Sequence, residues 1–263
     1  MNDDEIKKSF VALRCTKPDG TVNNMASGCL VTYQNKLFLL TVFHGVGFKS
    51  DDEKWLMELK WNQSIMRMGS IDISRVMNFL SSFSIDENTR ADYLNEILET
   101  RIGLNDIDFA WYKFPYNEIE AYYQEITNIN GYATNIMKKT IHIIDFNIKP
   151  DSSKKYCFGG YTRKTNINTN STLKIFENHL SIERDWKFVR EEYIENKGEM
   201  YIFKPIGSFK GNDFYAGCSG SPIMDKDGNI VSLVVGRNDN TEEMWGINLS
   251  AYKLAIDASI GNI

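Results

Sequence analysis

Two apolar runs around a short polar gap dominate the pattern of the N-terminal third. Gly28-Cys-Leu-Val-Thr-Tyr33 and Leu37-Phe-Leu-Leu-Thr-Val-Phe43 flank Gln34-Asn35-Lys36. Two β-rich segments around a tight polar turn predict a β-hairpin, with His44 at the end of its second strand. Upstream, Ser9-Phe-Val-Ala-Leu-Arg-Cys15 reads as an extended run closed by Pro18-Asp19-Gly20, a turn sequence. Trp55, Met57 and Leu59 alternate with other residues up to Trp61 and predict another strand. Asp108-Phe-Ala-Trp-Tyr-Lys-Phe114 is a further strand, stopped by Pro115.

Between these strands the period changes. Val76, Phe79, Leu80 and Phe83 recur at helical spacing, as do Ala91, Tyr93, Leu94, Ile97 and Leu98 after Asp86-Glu-Asn-Thr89. A helical insertion over about residues 70–100 is expected, its aromatic stripe used for packing. Strand patterns resume at Thr140-Ile-His-Ile-Ile144, at Lys155-Tyr-Cys-Phe158 before Gly159-Gly160, and at Glu199-Met-Tyr-Ile-Phe203. Pro222-Ile-Met224 leads through the turn Asp225-Lys-Asp-Gly228 into Ile230-Val-Ser-Leu-Val-Val235. Leu249, Tyr252, Leu254, Ile256 and Ile260 predict a closing helix. Many short strands broken by helical stretches predict an all-β fold with helical insertions, built as barrels or a sandwich.

Composition narrows the function classes. The 263 residues carry a net charge of -5, and their short lysine pairs form no basic face, which argues against nucleic-acid binding. Met1-Asn-Asp-Asp-Glu-Ile-Lys-Lys8 is charged with no apolar run behind it, so it reads as neither signal peptide nor membrane anchor. No stretch approaches the roughly 20 apolar residues that span a bilayer. Cys15, Cys29, Cys157 and Cys218 are scattered, with no His at metal-ligand spacing, so thiols are expected rather than disulfides or a metal site. The expectation is a cytoplasmic protein without metal or cofactor.

Three residues offer connected chemistry. Serine hydrolysis of an amide needs a hydroxyl, a base to take its proton, a carboxylate to orient the base, and N–H groups to meet the oxyanion. Ser219 lies in Ala216-Gly-Cys-Ser-Gly-Ser-Pro222, where the flanking glycines permit a sharp turn. The same frame lets the N–H groups of Gly217 and Ser219 converge as an oxyanion hole. The plainer alternative is a Gly/Ser-rich surface turn. His44, at a strand end and followed by Gly45, is the candidate base; His142 sits mid-strand and His179 in a polar loop, and neither has that setting. Asp108 and Asp106 are both open as the orienting acid on the residues alone.

These residues resemble the trypsin/chymotrypsin-like peptidases, in particular the bacterial branch with the HtrA-type enzymes. Ser27-Gly28-Cys-Leu-Val31 is similar to the S-G-x-G-F-V start of the branch's hairpin, and Leu40-Thr-Val-Phe-His-Gly-Val46 to its L-T-x-x-H-V. Asp108-Phe-Ala-Trp-Tyr-Lys-Phe114 resembles D-I-A-L-L-K, and Cys157-Phe-Gly-Gly-Tyr161 stands where those enzymes turn at G-W-G or G-x-P. Gly217-Cys-Ser-Gly-Ser-Pro-Ile223 is similar to G-[DN]-S-G-G-P. The order His, Asp, Ser is the one that fold uses, and the register of the strand after it selects Asp108 over Asp106.

The resemblance implies a chymotrypsin-like double β-barrel with a C-terminal helix. Residues 1–130 would form the first barrel with His44 and Asp108, and residues 131–263 the second with Ser219. It implies a serine endopeptidase acting on a protein or peptide substrate, with a protease-fold binding or scaffold module as the alternative. Cys218 replaces the acid that pairs with a cleaved N-terminus in secreted members, so activation by such cleavage is not expected. The glycine frame favours Ser219 over Cys218 as nucleophile. An ungapped match puts Asp213 at the base of the primary pocket, favouring Arg or Lys, with Phe214 crowding it. Val235, Gly236 and Arg237 would run beside the substrate backbone, Arg237 selecting against basic neighbours. The insertion and the polar stretch Lys164 to Lys197 are read as surfaces for a regulatory protein partner.

Overall fold

Gln34 and Asn35 take φ of 48° and 58° and reverse the chain in two residues, the mirror-image turn that suits the right-handed twist of a hairpin. The strands they join are β2 (Val22–Tyr33) and β3 (Lys36–Thr41), paired from Cys29↔Leu40 to Tyr33↔Lys36. The computed structural model to which these strands belong describes residues 1–46, 54–58, 70–72, 78–80, 108–115, 122–125, 135–163, 171–186, 200–207, 212–238 and 242–261.

The hairpin is the centre of an eight-stranded sheet. Beside the hairpin lie β1 (Val11–Thr16), β4 (Lys54–Glu58), β5 (Ser70–Asp72), β6 (Asn78–Leu80) and β7 (Phe109–Lys113), which makes seven strands in the order β5-β4-β1-β2-β3-β7-β6, and the eighth pairs with β2 off this path. A two-stranded sheet of β8 (Tyr122–Glu125) and β9 (Asn135–Lys138) follows, and then β10 (Ile141–Ile143) pairs parallel with the part of β2 beyond β1. Side chains alternate across β3: Leu37 and Leu39 join one buried cluster with Leu13, Leu30 and Phe114, while Phe38 and Leu40 join another. Both faces of β3 are therefore covered, and its unbroken apolar run follows from that.

The second half closes on itself. β11 (Lys155–Arg163), β12 (Ser171–Trp186), β13 (Met200–Pro205), β14 (Pro222–Met224), β15 (Ile230–Asn238) and β16 (Glu243–Ile247) form a barrel in the order β11-β12-β13-β16-β15-β14. Its interior holds Tyr156, Phe158, Phe176, Phe203, Ile223, Val234 and Met244. The cluster containing Phe38 and Leu40 also contains Met224, Leu233 and Val235 from this barrel, so the two halves share a core.

Helices tie the halves from two directions. The first, α1 (Asp3–Ser9), begins with a reciprocal cap between Asn2 and Glu5, and its Ile6 is fully buried in the shared core. A short 3-10 turn, Leu249–Tyr252, runs into a closing helix, Lys253–Ser259. Tyr252 stacks on Phe109 of β7 at 4.8 Å, and Asp257 accepts a hydrogen bond from the Tyr33 hydroxyl at 3.0 Å. No helix among the described residues is long and apolar enough to cross a membrane.

Four local expectations change. Within the stretch expected as helical, residues 70–72 and 78–80 are strands, because β4 and β7 offer them open edges; residues 73–77 and 81–107, with Asp106, lie outside the described residues. No turn occurs at Gly159-Gly160: both are inside β11. The polar stretch from Lys164 contains the sixteen-residue β12, which places His179 in a strand rather than a loop. The closing segment is a 3-10 turn plus helix rather than one helix.

Candidate active site

The turn that bears Ser219 is held atom by atom. Gly217 and Gly220 take φ of 99° and 85° on either side of it, values that L side chains rarely adopt. The Cys218 N–H donates to Tyr215 O at 3.0 Å, the Ser221 N–H to Cys218 O at 2.9 Å, and the Gly220 N–H to Val234 O at 2.8 Å. Ser219 is half-buried, whereas Cys218 is fully buried beside the barrel interior. A Cβ built on Gly160 would meet Cys218 Sγ at 2.9 Å. The glycine in β11 is there for close approach of the turn, and the thiol faces the barrel. Ser221, fully buried, also borders Gly160.

Two carbonyls of the turn reach across to the first half. Ser219 O accepts from the Ser27 N–H at 2.8 Å, and Gly217 O accepts from the Ser27 hydroxyl at 2.9 Å. Ser27 O in turn accepts from the Thr41 hydroxyl at 2.7 Å. The approach is so close that a Cβ on Gly220 would lie 2.1 Å from Ser27 O.

His44 lies just beyond β3. The strand ends at Thr41, and Phe43–Val46 form one helical turn, so His44 lies in a helical turn rather than at the end of a strand. Its side chain lies outside what the structure describes, but its successor Gly45 is buried, and a Cβ there would sit 3.9 Å from Ser219 Cβ. Asp108 directly precedes β7, whose Ala110 pairs with Thr41. Continuing that antiparallel register brings Asp108 level with Phe43. The carboxylate is 2% exposed, a position that requires polar partners.

The predicted substrate-side residues fall together on one strand. Val234 is bonded at both backbone atoms to the Ser219 turn, its N–H donating to Ser221 O at 2.9 Å. Val235, Gly236 and Arg237 continue β15 from there, the last two beyond the six residues read as a strand from sequence. A side chain added at Gly236 would meet nothing within 4 Å, and the Arg237 guanidinium lies 5.9 Å over the Tyr215 ring. Asp213 belongs to the short helix Asn212–Tyr215, and its side chain is outside the described set. Beside it Phe214 packs edge-on against Phe176 at 5.7 Å, toward the barrel interior.

Ser27 is the residue that sequence reading passed over. It entered only as the first letter of the hairpin motif, and its bond to Gly217 spans 190 positions.

No family profile and no curated protein matches the chain. Solved structures do. Human heparin binding protein is 11% identical with a TM-score of 0.52, over 96% of this chain and 92% of that one. The inactivated protease paralogue S-I1 of the scabies mite is 13% identical with a TM-score of 0.51, over 100% of this chain and 99% of that one. The active form of the Rv3671c protease from M. tuberculosis is 12% identical with a TM-score of 0.50, over 98% of this chain and 83% of that one. At these identities the likeness concerns the fold, which is chymotrypsin-like as expected.

Proposed function

We propose that the chain is a serine endopeptidase of the trypsin/chymotrypsin-like kind, with His44, Asp108 and Ser219 as its triad. Ser219 Oγ attacks the scissile carbonyl while His44 takes its proton, and the Asp108 carboxylate orients the imidazole and steadies its charge. The N–H groups of Gly217 and Ser219 meet the oxyanion. His44 then delivers the proton to the leaving amine, and water repeats the sequence on the acyl-enzyme. The substrate backbone lies along Val235, Gly236 and Arg237.

The observation that carries this reading is the 3.9 Å from a Gly45 Cβ to Ser219 Cβ, which joins two motifs 174 positions apart in sequence, 219 − 45 = 174. The backbone next to the candidate base therefore runs beside the candidate nucleophile, as the triad reading requires. The second reading, a binding module without turnover, draws support from one structural neighbour that is described as inactivated.

Fluorophosphonate labelling with peptide hydrolysis separates the two. The wild-type chain is expected to label at Ser219 and cleave peptides, and Ser219→Ala to do neither while keeping its fold. A wild-type chain that does not label, alone or with lysate added, overturns the enzyme reading; labelling that persists in Ser219→Ala overturns the nucleophile.

A further inference from the structure

We propose that Ser27 is a positioning residue for the reaction, clamping the nucleophile turn from the opposite half of the molecule. The proposal rests on the protease reading above. Gly217 O accepts from the Ser27 hydroxyl and Ser219 O accepts from the Ser27 N–H. These two carbonyls belong to the peptide units on either side of the one that carries the Ser219 N–H, the proposed oxyanion donor, so one side chain and its own amide fix both flanking peptides.

The geometry gives this clamp little slack. Ser27 is fully buried, its carbonyl is held by the Thr41 hydroxyl at 2.7 Å, and Gly220 leaves no room between them. Thr41 ends β3, three residues before His44. Base and nucleophile turn are therefore referenced to the same short segment of chain. In the secreted relatives an acid before the serine pairs with a charged N-terminus; here that position is the buried Cys218. Ser27 supplies from outside the turn the fixing that an ion pair would supply from within.

Ser27→Ala deletes the hydroxyl and keeps the N–H. Amide hydrogen exchange of the segment 215–221 should quicken ~5- to 10-fold, the factor matching one net hydrogen bond, with exchange in β12 unchanged. Labelling rate and kcat should fall ~10- to 100-fold, as small misplacements at a reacting centre do, while KM stays within about twofold. Ser27→Cys, nearly the same size and a weak donor, should fall between and serves if the alanine variant fails to fold. Unchanged kcat in a wild-type-like active background overturns the clamp and leaves the protease reading intact. If the wild-type chain proves inactive, the protease reading falls, and the exchange measurement alone decides the clamp: unchanged exchange at 215–221 overturns it.

Discussion

Replacing Gly220 by alanine tests the close approach of the two halves at the Ser219 turn. The residue sits at φ 85°, and the added methyl would lie 2.1 Å from Ser27 O and 2.3 Å from Thr41 Oγ1. Ordinary non-bonded contacts begin near ~3.5 Å, so the turn and Ser27 must part by more than an ångström. The left-handed conformation costs roughly 1–2 kcal/mol for an L side chain, and forcing a methyl into a filled site adds about 1–3 kcal/mol. Separation also breaks the bonds from Ser27 to Gly217 and Ser219, at about 1 kcal/mol each. The expected loss is about 4–7 kcal/mol, or ~8–28 °C in Tm for a chain of this size. Gly228→Ala is the internal control, because its φ is 83° but a methyl there meets nothing within 4 Å. That variant should lose only about 1–2 kcal/mol. Thermal unfolding followed by circular dichroism, with fluorophosphonate labelling below the transition, reads both effects. Equal losses for Gly220→Ala and Gly228→Ala would refute the reasoning, since backbone conformation alone would then explain both.

Three further outcomes are expected. Burial holds His142 below its ordinary pKa against a smaller upward pull from the backbones of Gly228 and Ser9, and its Nε2 is buried without a hydrogen bond. A depressed histidine contributes stability that is complete above the unfolded value of about 6.5 and lost as pH falls below it. Urea midpoints of His142→Gln should therefore vary less than wild type between pH 7 and pH 5, and identical slopes would refute this. Tyr252→Ala removes the ring stacked on Phe109 and should cost about 3–5 kcal/mol in denaturant unfolding; a loss under 1 kcal/mol would mean that the closing segment is not anchored there. Asp213→Ser should erase any preference for cleavage after Arg or Lys, and an unchanged peptide-library profile would retire Asp213 as the pocket acid.

Legibility in the sequence followed the range of the physical cause. The hairpin at Gln34-Asn35 and the strand after Asp108 were readable because alternation and turn residues act over a few positions. β12 was not readable: only short apolar signals such as Phe176 and Leu180 interrupt its polar residues, and pairing with β11 and β13 makes it a strand. The glycine pair Gly159-Gly160 looked like punctuation but answers to close packing, since a methyl at Gly160 would strike Cys218. β16 was hidden likewise by Gly246, where a Cβ would lie 2.3 Å from Ser232 Oγ. α1 escaped because its capping box uses Asn2 and Glu5 in a segment that otherwise reads only as charged. In the candidate site, motif context in the sequence is what singles out His44, Asp108 and Ser219 as the proposed triad, while the Ser27 bond, made across 190 positions, leaves no such signal.

The same contrast explains why the halves must act as one body. The candidate base and acid adjoin strands of the sheet and the candidate nucleophile adjoins the barrel, so their relation depends on what crosses the join. On one side Ser27 holds the Ser219 turn by two hydrogen bonds. Elsewhere the closing helix returns from the barrel to the sheet, where Tyr33 bonds Asp257 and Tyr252 covers Phe109. Between these ties lies a core in which Phe38, Leu40 and Phe109 meet Met224, Leu233 and Val235, all nearly or fully buried. Sliding one half against the other would open that core at roughly 25 cal/mol for each Å² of apolar surface exposed, and would also break the directional bonds at both ties. Directional bonds set the register of the halves and the apolar core makes departure from it costly. The Ser219 turn, with Cys218 buried beside it, thus keeps a fixed shape through bonds that reach it from the other half.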